Sequence, residues 1–154
     1  MAAADNQPVL IAYDGSEFAA AAIREAGAQL GPGRTAIVAT VFEPLDKLPF
    51  LGVGGVPIES DTMTEIYENA EQGARHTAEQ GAELARQVGF DAEPLVSAGN
   101  PVWDRIVGLA EERDAGLIVI GSRGLSGVKH ALLGSVAAAV AQHSKRSVLI
   151  VHHR

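Results

Sequence analysis

The sequence predicts an α/β fold in which a parallel β-sheet is covered by helices on both faces. Apolar runs without alternation recur along the chain, and such runs are typical of strands buried on both faces. Four of the five predicted strands are followed by a segment with helical periodicity, and this alternation implies right-handed crossovers within one parallel sheet. At 154 residues, we expect one domain over residues 1–154, with a core that needs no disulfide.

The first unit of the chain reads strand, turn and helix. The apolar run 8–13 predicts a strand that stops at Asp14 and a glycine. Ser16 is placed to cap the helix that follows, whose apolar face returns with helical spacing as far as residue 30. A glycine-proline-glycine triplet ends that helix, and the run 35–42 predicts the second strand.

The segment 43–60 predicts a long flexible loop, because it is rich in proline and glycine and has neither strand nor helix periodicity. Its apolar residues could close over a ligand, pack on a partner or cover the edge of the sheet. These residues are Phe50, Leu51, Val53 and Val56. Asp61 is then expected to cap a long amphipathic helix that reaches about Val88, with an acidic outer face.

The second half of the chain alternates strands and helices again. Residues 91–97 predict the third strand. In the turn that follows, Asn100 is the expected cap of the third helix and Pro101 its first residue. The runs 117–120 and 147–152 predict the last two strands.

The stretch 121–136, GSRGLSGVKHALLGSV, leaves the carboxyl end of the fourth predicted strand. Ser135 is the expected cap of the alanine-rich helix after it. A glycine-rich loop between a strand and a helix start can aim backbone N–H groups at a phosphate. The stretch fits neither GxxxxGK[ST] nor GxGxxG, so these rules alone leave open that the glycines serve only a long turn and a helix cap.

Asp14 is a second candidate for the same crevice. A carboxylate at the carboxyl end of a strand can accept hydrogen bonds from ribose hydroxyls, and it can equally be a turn aspartate that bonds its own backbone. Asp14, the end of the second strand and the start of the glycine-rich stretch all follow carboxyl ends of predicted strands. In a parallel sheet these ends meet at one crevice.

Composition excludes several classes of function. A net charge of −7 argues against a nucleic-acid partner, whose binding needs many lysine and arginine contacts to phosphate. The absence of cysteine removes disulfides and thiolate chemistry and fits a reducing cytosol. With no leader-like segment and no apolar run near the ~18 residues of a membrane span, we expect a soluble, cytoplasmic protein with no membrane partner.

Gly121, Gly124 and, after nine intervening residues, Gly134-Ser135 resemble the G-2x-G-9x-G(S/T) motif of the universal stress protein family, in its ATP-binding branch. The segments VLIAYDGS, GNP, LIVIGSRG and SVLIV extend the resemblance over nearly the whole chain. It implies a Rossmann-like, adenine nucleotide alpha hydrolase-like fold with five parallel strands in the order 3-2-1-4-5. It also implies a bound ATP and a homodimer through the last strand, which pairs antiparallel with its copy.

The resemblance also implies which residues bind the nucleotide. Asp14 would contact the ribose, the backbone of Val41 the adenine edge, and Gly121 and Gly124 the ribose and phosphates. The cationic side chains of the loop could neutralise phosphate or stay solvated. The full set implied is Asp14, Val41, Gly121, Arg123, Gly124, Gly134, Ser135 and Val136, with Lys129 and His130 as further cations.

Two positions depart from the family pattern. Gly116 stands where the family commonly has an aspartate, and the lead-in 145–147 replaces a cysteine- or proline-containing segment. Neither lies in the glycine-rich stretch, so both bear on the details of the dimer.

Taken together, the sequence favours a homodimeric, ATP-binding regulatory module of the stress response. The alternatives are a slow Mg-dependent ATPase or nucleotidyl transferase, a binder of AMP or a cyclic nucleotide, and a nucleotide-free dimer scaffold. The chain has no Walker lysine, no second acidic motif placed for a metal and no nucleophile elbow. We therefore assign no catalytic residue, and the sequence names neither the protein partner nor the stress.

Overall fold

The computed structural model describes residues 6–44, 60–125 and 133–153. Most of the predicted loop 43–60, with its four apolar candidates, lies outside them, as do Lys129 and His130. In the described residues, strands and helices alternate from β1 to β5. They are β1 (Val9–Ala12), α1 (Glu17–Leu30), β2 (Thr35–Phe42), α2 (Ser60–Gln87), β3 (Asp91–Ala98), α3 (Val102–Glu112), β4 (Leu117–Gly121), α4 (Ser135–His143) and β5 (Ser147–Val151).

The five strands form one parallel sheet in the order β3-β2-β1-β4-β5, which confirms the predicted fold class and strand order. Ile11 at the centre of β1 pairs with Val38 of β2 on one side and Val119 of β4 on the other. The chain winds outward from β1 to β3, then returns to the other side of β1 for β4. The order of the strands therefore reverses between β1 and β4, and this is where parallel α/β sheets form their crevice.

The period of two along each strand divides the core into two layers. Val9 and Ile11 pack with α1 and α2 on one face of the sheet. Leu10 and Ile118 pack with α3 and α4 on the other face. Both faces are thus covered, and this explains why β1, β2 and β4 are apolar runs without alternation.

The cap of α1 is the one predicted: Ala19 N–H donates to Ser16 Oγ at 3.1 Å, and Ser16 is the N-cap residue. The start of α2 differs from the prediction, because the helix begins at Ser60 and places Asp61 in its first turn. A carboxylate there interacts favourably with the helix dipole without being the cap.

The predicted caps of α3 and α4 are wrong by one residue. The N-cap of α3 is Pro101, in extended conformation and with no side-chain cap bond, and not Asn100. The N-cap of α4 is Gly134, so Ser135 is the first helical residue. In both cases a residue with the extended backbone that an N-cap requires stands one position away from the residue with the better capping side chain.

In the described residues, no helix combines the length and the apolar character that crossing a membrane requires.

Candidate functional site

A cavity of about 240 Å³ lies at the carboxyl ends of β1, β2 and β4, at the reversal of strand order. The amino-terminal turns of α3 and α4 complete its wall. The structure brings all eight predicted site residues to this cavity. They are Asp14, Val41, Gly121, Arg123, Gly124, Gly134, Ser135 and Val136.

The cavity has an apolar part and a polar part. The side chains that β2 and α3 contribute to its wall are all apolar. Polar side chains come from the loops after β1 and β4 and from the start of α4. A ligand with one flat apolar end and one anionic end matches this division. The apolar lining side chains from β2 and α3 are Ala39, Val41, Val102 and Ile106.

The backbone of Val41 faces the cavity. Ala39 C=O accepts a hydrogen bond from Tyr13 N–H on the β1 side, and Phe42 C=O accepts one from Gly99 N–H on the β3 side. Successive residues of a strand direct their polar groups to opposite neighbours. Val41 therefore directs its N–H and C=O toward the β1 side, where β1 has already ended at Ala12. One donor and one acceptor lie side by side at the apolar part of the cavity.

Asp14 joins the two loops that flank the cavity. Its Oδ1 accepts a hydrogen bond from Ser16 N–H at 2.9 Å, and its Oδ2 accepts one from Leu125 N–H at 3.1 Å. The turn-aspartate interpretation is thus correct for Oδ1. Oδ2 has a second role, because it fixes the glycine-rich loop to the end of β1.

The carboxylate of Asp14 also lies close to Gly124. A Cβ at Gly124 would lie 2.7 Å from Asp14 Oδ2, closer than van der Waals contact allows. At Gly121 a Cβ would lie 2.9 Å from the carbonyl oxygen of Phe18. The loop therefore passes close to Phe18 of α1 at Gly121, and close to the Asp14 carboxylate at Gly124.

Ser122 closes the loop by backbone hydrogen bonds. Its N–H donates to Val151 C=O at 2.8 Å and its C=O accepts from Gly134 N–H at 2.6 Å. A Cβ at Gly134 would lie 3.2 Å from that same carbonyl oxygen. The residues before and after the glycine-rich stretch are thereby held together, and the start of α4 is brought to the cavity.

The amino terminus of α4 supplies hydrogen-bond donors to the cavity wall. Ser135, Val136 and Ala137 line the cavity and are the first residues of the helix, whose N–H groups have no carbonyl partner within it. Gly134 at the N-cap has no side chain that could accept from them. These donors and the positive end of the helix dipole favour an anion at this place.

Arg123 adds a positive charge to this polar part. Its guanidinium carbon lies 5.9 Å from the centre of the Phe18 ring, within the range of a cation–π contact. Within the described parts of the chain, no group of three or more His, Cys, Asp or Glu side chains is placed to hold a metal ion.

Some contributors were missed by sequence reasoning. Ser122 is only 3% exposed and acts through its backbone, while Phe18 contacts Arg123 from α1. Leu125 is 74% exposed and lines the cavity. In the sequence, only the position of Leu125 directly after Gly124 pointed to the cavity. A single exposed leucine is not informative by itself.

Fold and site together define a doubly wound parallel α/β protein with a glycine-rich loop and a cavity at its switch point. The chain belongs to the universal stress protein family, whose model matches residues 5–152.

Known proteins similar to the chain carry the same family name. It is 34% identical over 153 residues to the universal stress protein YxiE of Bacillus subtilis, and the match covers 93% of this chain and 97% of that protein. Three solved structures share the fold. Protein MJ0577 of Methanocaldococcus jannaschii has a TM-score of 0.78 at 24% identity, with 97% of each chain covered.

Two of these structures are complexes with a nucleotide. A universal stress protein in complex with cAMP has a TM-score of 0.63 at 32% identity, with 96% of this chain and 97% of that chain covered. The universal stress protein of Archaeoglobus fulgidus in complex with dAMP has a TM-score of 0.58 at 25% identity, with 94% of this chain and 96% of that chain covered.

Proposed function

We propose that this protein binds an adenine nucleotide in the cavity and works as a nucleotide-dependent regulatory module of the stress response. One observation carries the proposal: a single cavity joins the backbone N–H and C=O of Val41, on the β1 side of β2, to the donor-rich start of α4. The first of these fits a purine edge, and the second fits a phosphate. ATP is the nucleotide we place first.

In this proposal the eight predicted site residues contact different parts of the nucleotide. Adenine lies against the apolar wall, its N1 accepting from Val41 N–H and its amino group donating to Val41 C=O. The ribose lies beside Asp14. Phosphates lie on the backbone of Gly121 and Gly124 and on the amides of Gly134, Ser135 and Val136, with Arg123 as the neutralising cation.

AMP or a cyclic nucleotide is a second candidate. The structures in complex with cAMP and dAMP support a site that accepts a single phosphate. Backbone amides read the presence of a phosphate better than the number of phosphates, which is why one such site can take several nucleotides.

The geometry supports binding more than catalysis. Asp14 is the acidic side chain among the described lining residues, and both of its oxygens already accept backbone N–H groups. An Mg-dependent ATPase would need a further carboxylate for the metal or for water, beside the one that we place at the ribose. We therefore propose no catalytic residue.

The two edges of the sheet support a homodimer through β5. The β3 edge carries Pro94 and the charged Asp91 and Glu93, which are typical protections against pairing with another chain. β5 (Ser147–Val151) has neither proline nor charge. We propose that this second edge is the one covered by a second copy.

Calorimetric titration of the purified protein tests the proposal, with ATP, AMP, cAMP and purine riboside 5′-monophosphate as ligands. The last compound lacks the exocyclic amino group, so Val41 C=O would lose its donor. We expect it to bind about tenfold more weakly than AMP, which corresponds to about 1.4 kcal/mol.

Two variants complete the test. Asp14→Ala should weaken every nucleotide, while His76→Ala, on the exposed face of α2, should weaken none. Acid denaturation followed by mass spectrometry identifies any nucleotide that copurifies. If none is released and none of the four ligands binds, the proposal is wrong and a nucleotide-free scaffold takes its place.

A further inference from the structure

Three side chains from three elements form a stack beside the cavity, and the proposed function uses only one of them. The Arg123 guanidinium lies over the Phe18 ring, with its central carbon 5.9 Å from the ring centre. The His153 ring meets the same phenyl ring edge to face, with centroids 5.9 Å apart and planes at 79°. Phe18 is at the start of α1, and His153 follows the end of β5.

The chain after β5 is connected to the glycine-rich loop in a second way. Ser122 N–H donates to Val151 C=O, so the residue before Arg123 and the last residue of β5 are directly hydrogen-bonded. This bond sets the course of the chain from Val151 to His153. His153, whose ring contacts Phe18, follows two residues after the Val151 carbonyl that the loop binds.

Arg123 is the cationic side chain among the described residues that line the cavity. A long side chain on a surface loop samples many rotamers, and each of them must be given up when a phosphate is bound. A guanidinium held on an aromatic face has already lost part of that freedom. Preorganisation of this kind raises affinity without adding a contact to the ligand.

We propose that Phe18 and His153 are positioning residues of the nucleotide site: His153 supports the Phe18 ring, and the ring holds the Arg123 guanidinium at the phosphate end of the cavity. This inference rests on the proposed function. It makes the segment after β5 a part of the site, although neither Phe18 nor His153 lines the cavity.

The test compares AMP with adenosine, because only a phosphate-bearing ligand uses Arg123. Titration calorimetry on Phe18→Leu and His153→Ala should show AMP bound about two- to fivefold more weakly, the range of one exposed cation–π contact, with adenosine unaffected. His152→Ala is the matched control, because it is the adjacent exposed histidine and lies outside the stack. Thermal unfolding of each variant checks that the fold is kept.

A merely structural effect is separated by a double-mutant cycle. In an Arg123→Gln background, Phe18→Leu should have no further effect on AMP affinity, since the group it positions is gone. Equal losses for AMP and adenosine, an undiminished effect of Phe18→Leu without Arg123, or tighter AMP binding by Phe18→Leu would each overturn the inference alone. If the wild-type protein binds neither AMP nor adenosine, the proposed function fails first, and the positioning role fails with it.

Discussion

Two glycines of α2 provide a matched pair for a stability measurement. Gly81 is buried and faces the end of β1, and a Cβ at this position would lie 2.5 Å from Cδ1 of the Tyr13 ring and 2.8 Å from Cγ1 of Val38. Gly73 lies two turns earlier on the exposed side of the same helix, where a Cβ would meet nothing within 4 Å. Replacing each by alanine changes the same atoms in opposite surroundings.

The expected magnitudes follow from these distances. In a helix interior, alanine is favoured over glycine by about 0.8–1 kcal/mol, so Gly73→Ala should raise the free energy of unfolding by about that amount. Gly81→Ala gains the same propensity but adds a methyl group to a filled core, which costs about 1–3 kcal/mol. Val38 is fully buried and cannot move away, so we expect the upper half of that range and a net loss of about 1–2 kcal/mol.

Urea unfolding of both variants at one protein concentration measures the difference. The propensity term cancels between them, so the gap in unfolding free energy, about 2–3 kcal/mol, reports the clash alone. In a thermal scan it corresponds to roughly 2–4 °C for each kcal/mol. If Gly81→Ala proved as stable as Gly73→Ala, the inference that α2 packs tightly against Tyr13 at Gly81 would be refuted.

Three further predictions concern a helix cap, the acid limb of stability and the glycine-rich loop. Ser16→Ala should lower the free energy of unfolding by about 1 kcal/mol, the usual cost of a lost N-cap; an unchanged urea midpoint would show that the cap bond adds nothing. The hydrogen bond from the Arg105 guanidinium holds the pKa of the Glu112 carboxyl below its ordinary value of 4.5. The stability that the Arg105–Glu112 pair contributes is therefore present above pH 4.5 and is lost as the pH falls through the lowered pKa of Glu112. Unfolding curves of wild type and Glu112→Gln should accordingly separate near neutral pH and converge in acid, and a constant separation at all pH values would refute this. Gly124→Ala should displace the Asp14 carboxylate and weaken nucleotide binding, yet change little in an Asp14→Ala background; equal losses in calorimetry of both backgrounds would mean that the methyl group acts on the ligand directly.

Most of the fold followed from patterns of apolar residues. The strand over residues 35–42 was predicted with its observed bounds, because both faces of β2 are buried and turn residues flank it. Strand order came from the family resemblance, since apolar runs say which segments are strands but not which strands are neighbours. The caps of α3 and α4 were misplaced because Asn100 and Ser135 have good capping side chains, while the chain reaches the required extended conformation at Pro101 and Gly134.

The site was predictable where it depends on glycine spacing and less so where it depends on packing. Gly121, Gly124 and Gly134 follow a fixed spacing that reflects their close approaches to other elements. Val41 has no side-chain signature, and its proposed role rests on its backbone N–H and C=O, which face the cavity at the end of β1. The contact of Phe18 with Arg123 joins residues more than a hundred positions apart and leaves no local pattern.

The position of Asp14 beside the proposed phosphate-binding loop has a physical explanation. A carboxylate there would repel a phosphate if its charge were uncompensated. Each of its oxygens accepts a backbone N–H, one from Ser16 and one from Leu125, so its charge is directed toward the two loops that it connects. Gly124 is the residue that lets the carboxylate come this close. Gly124 thus leaves the room that the Asp14 carboxylate occupies, and Asp14 holds the glycine-rich loop through its bond to Leu125 N–H.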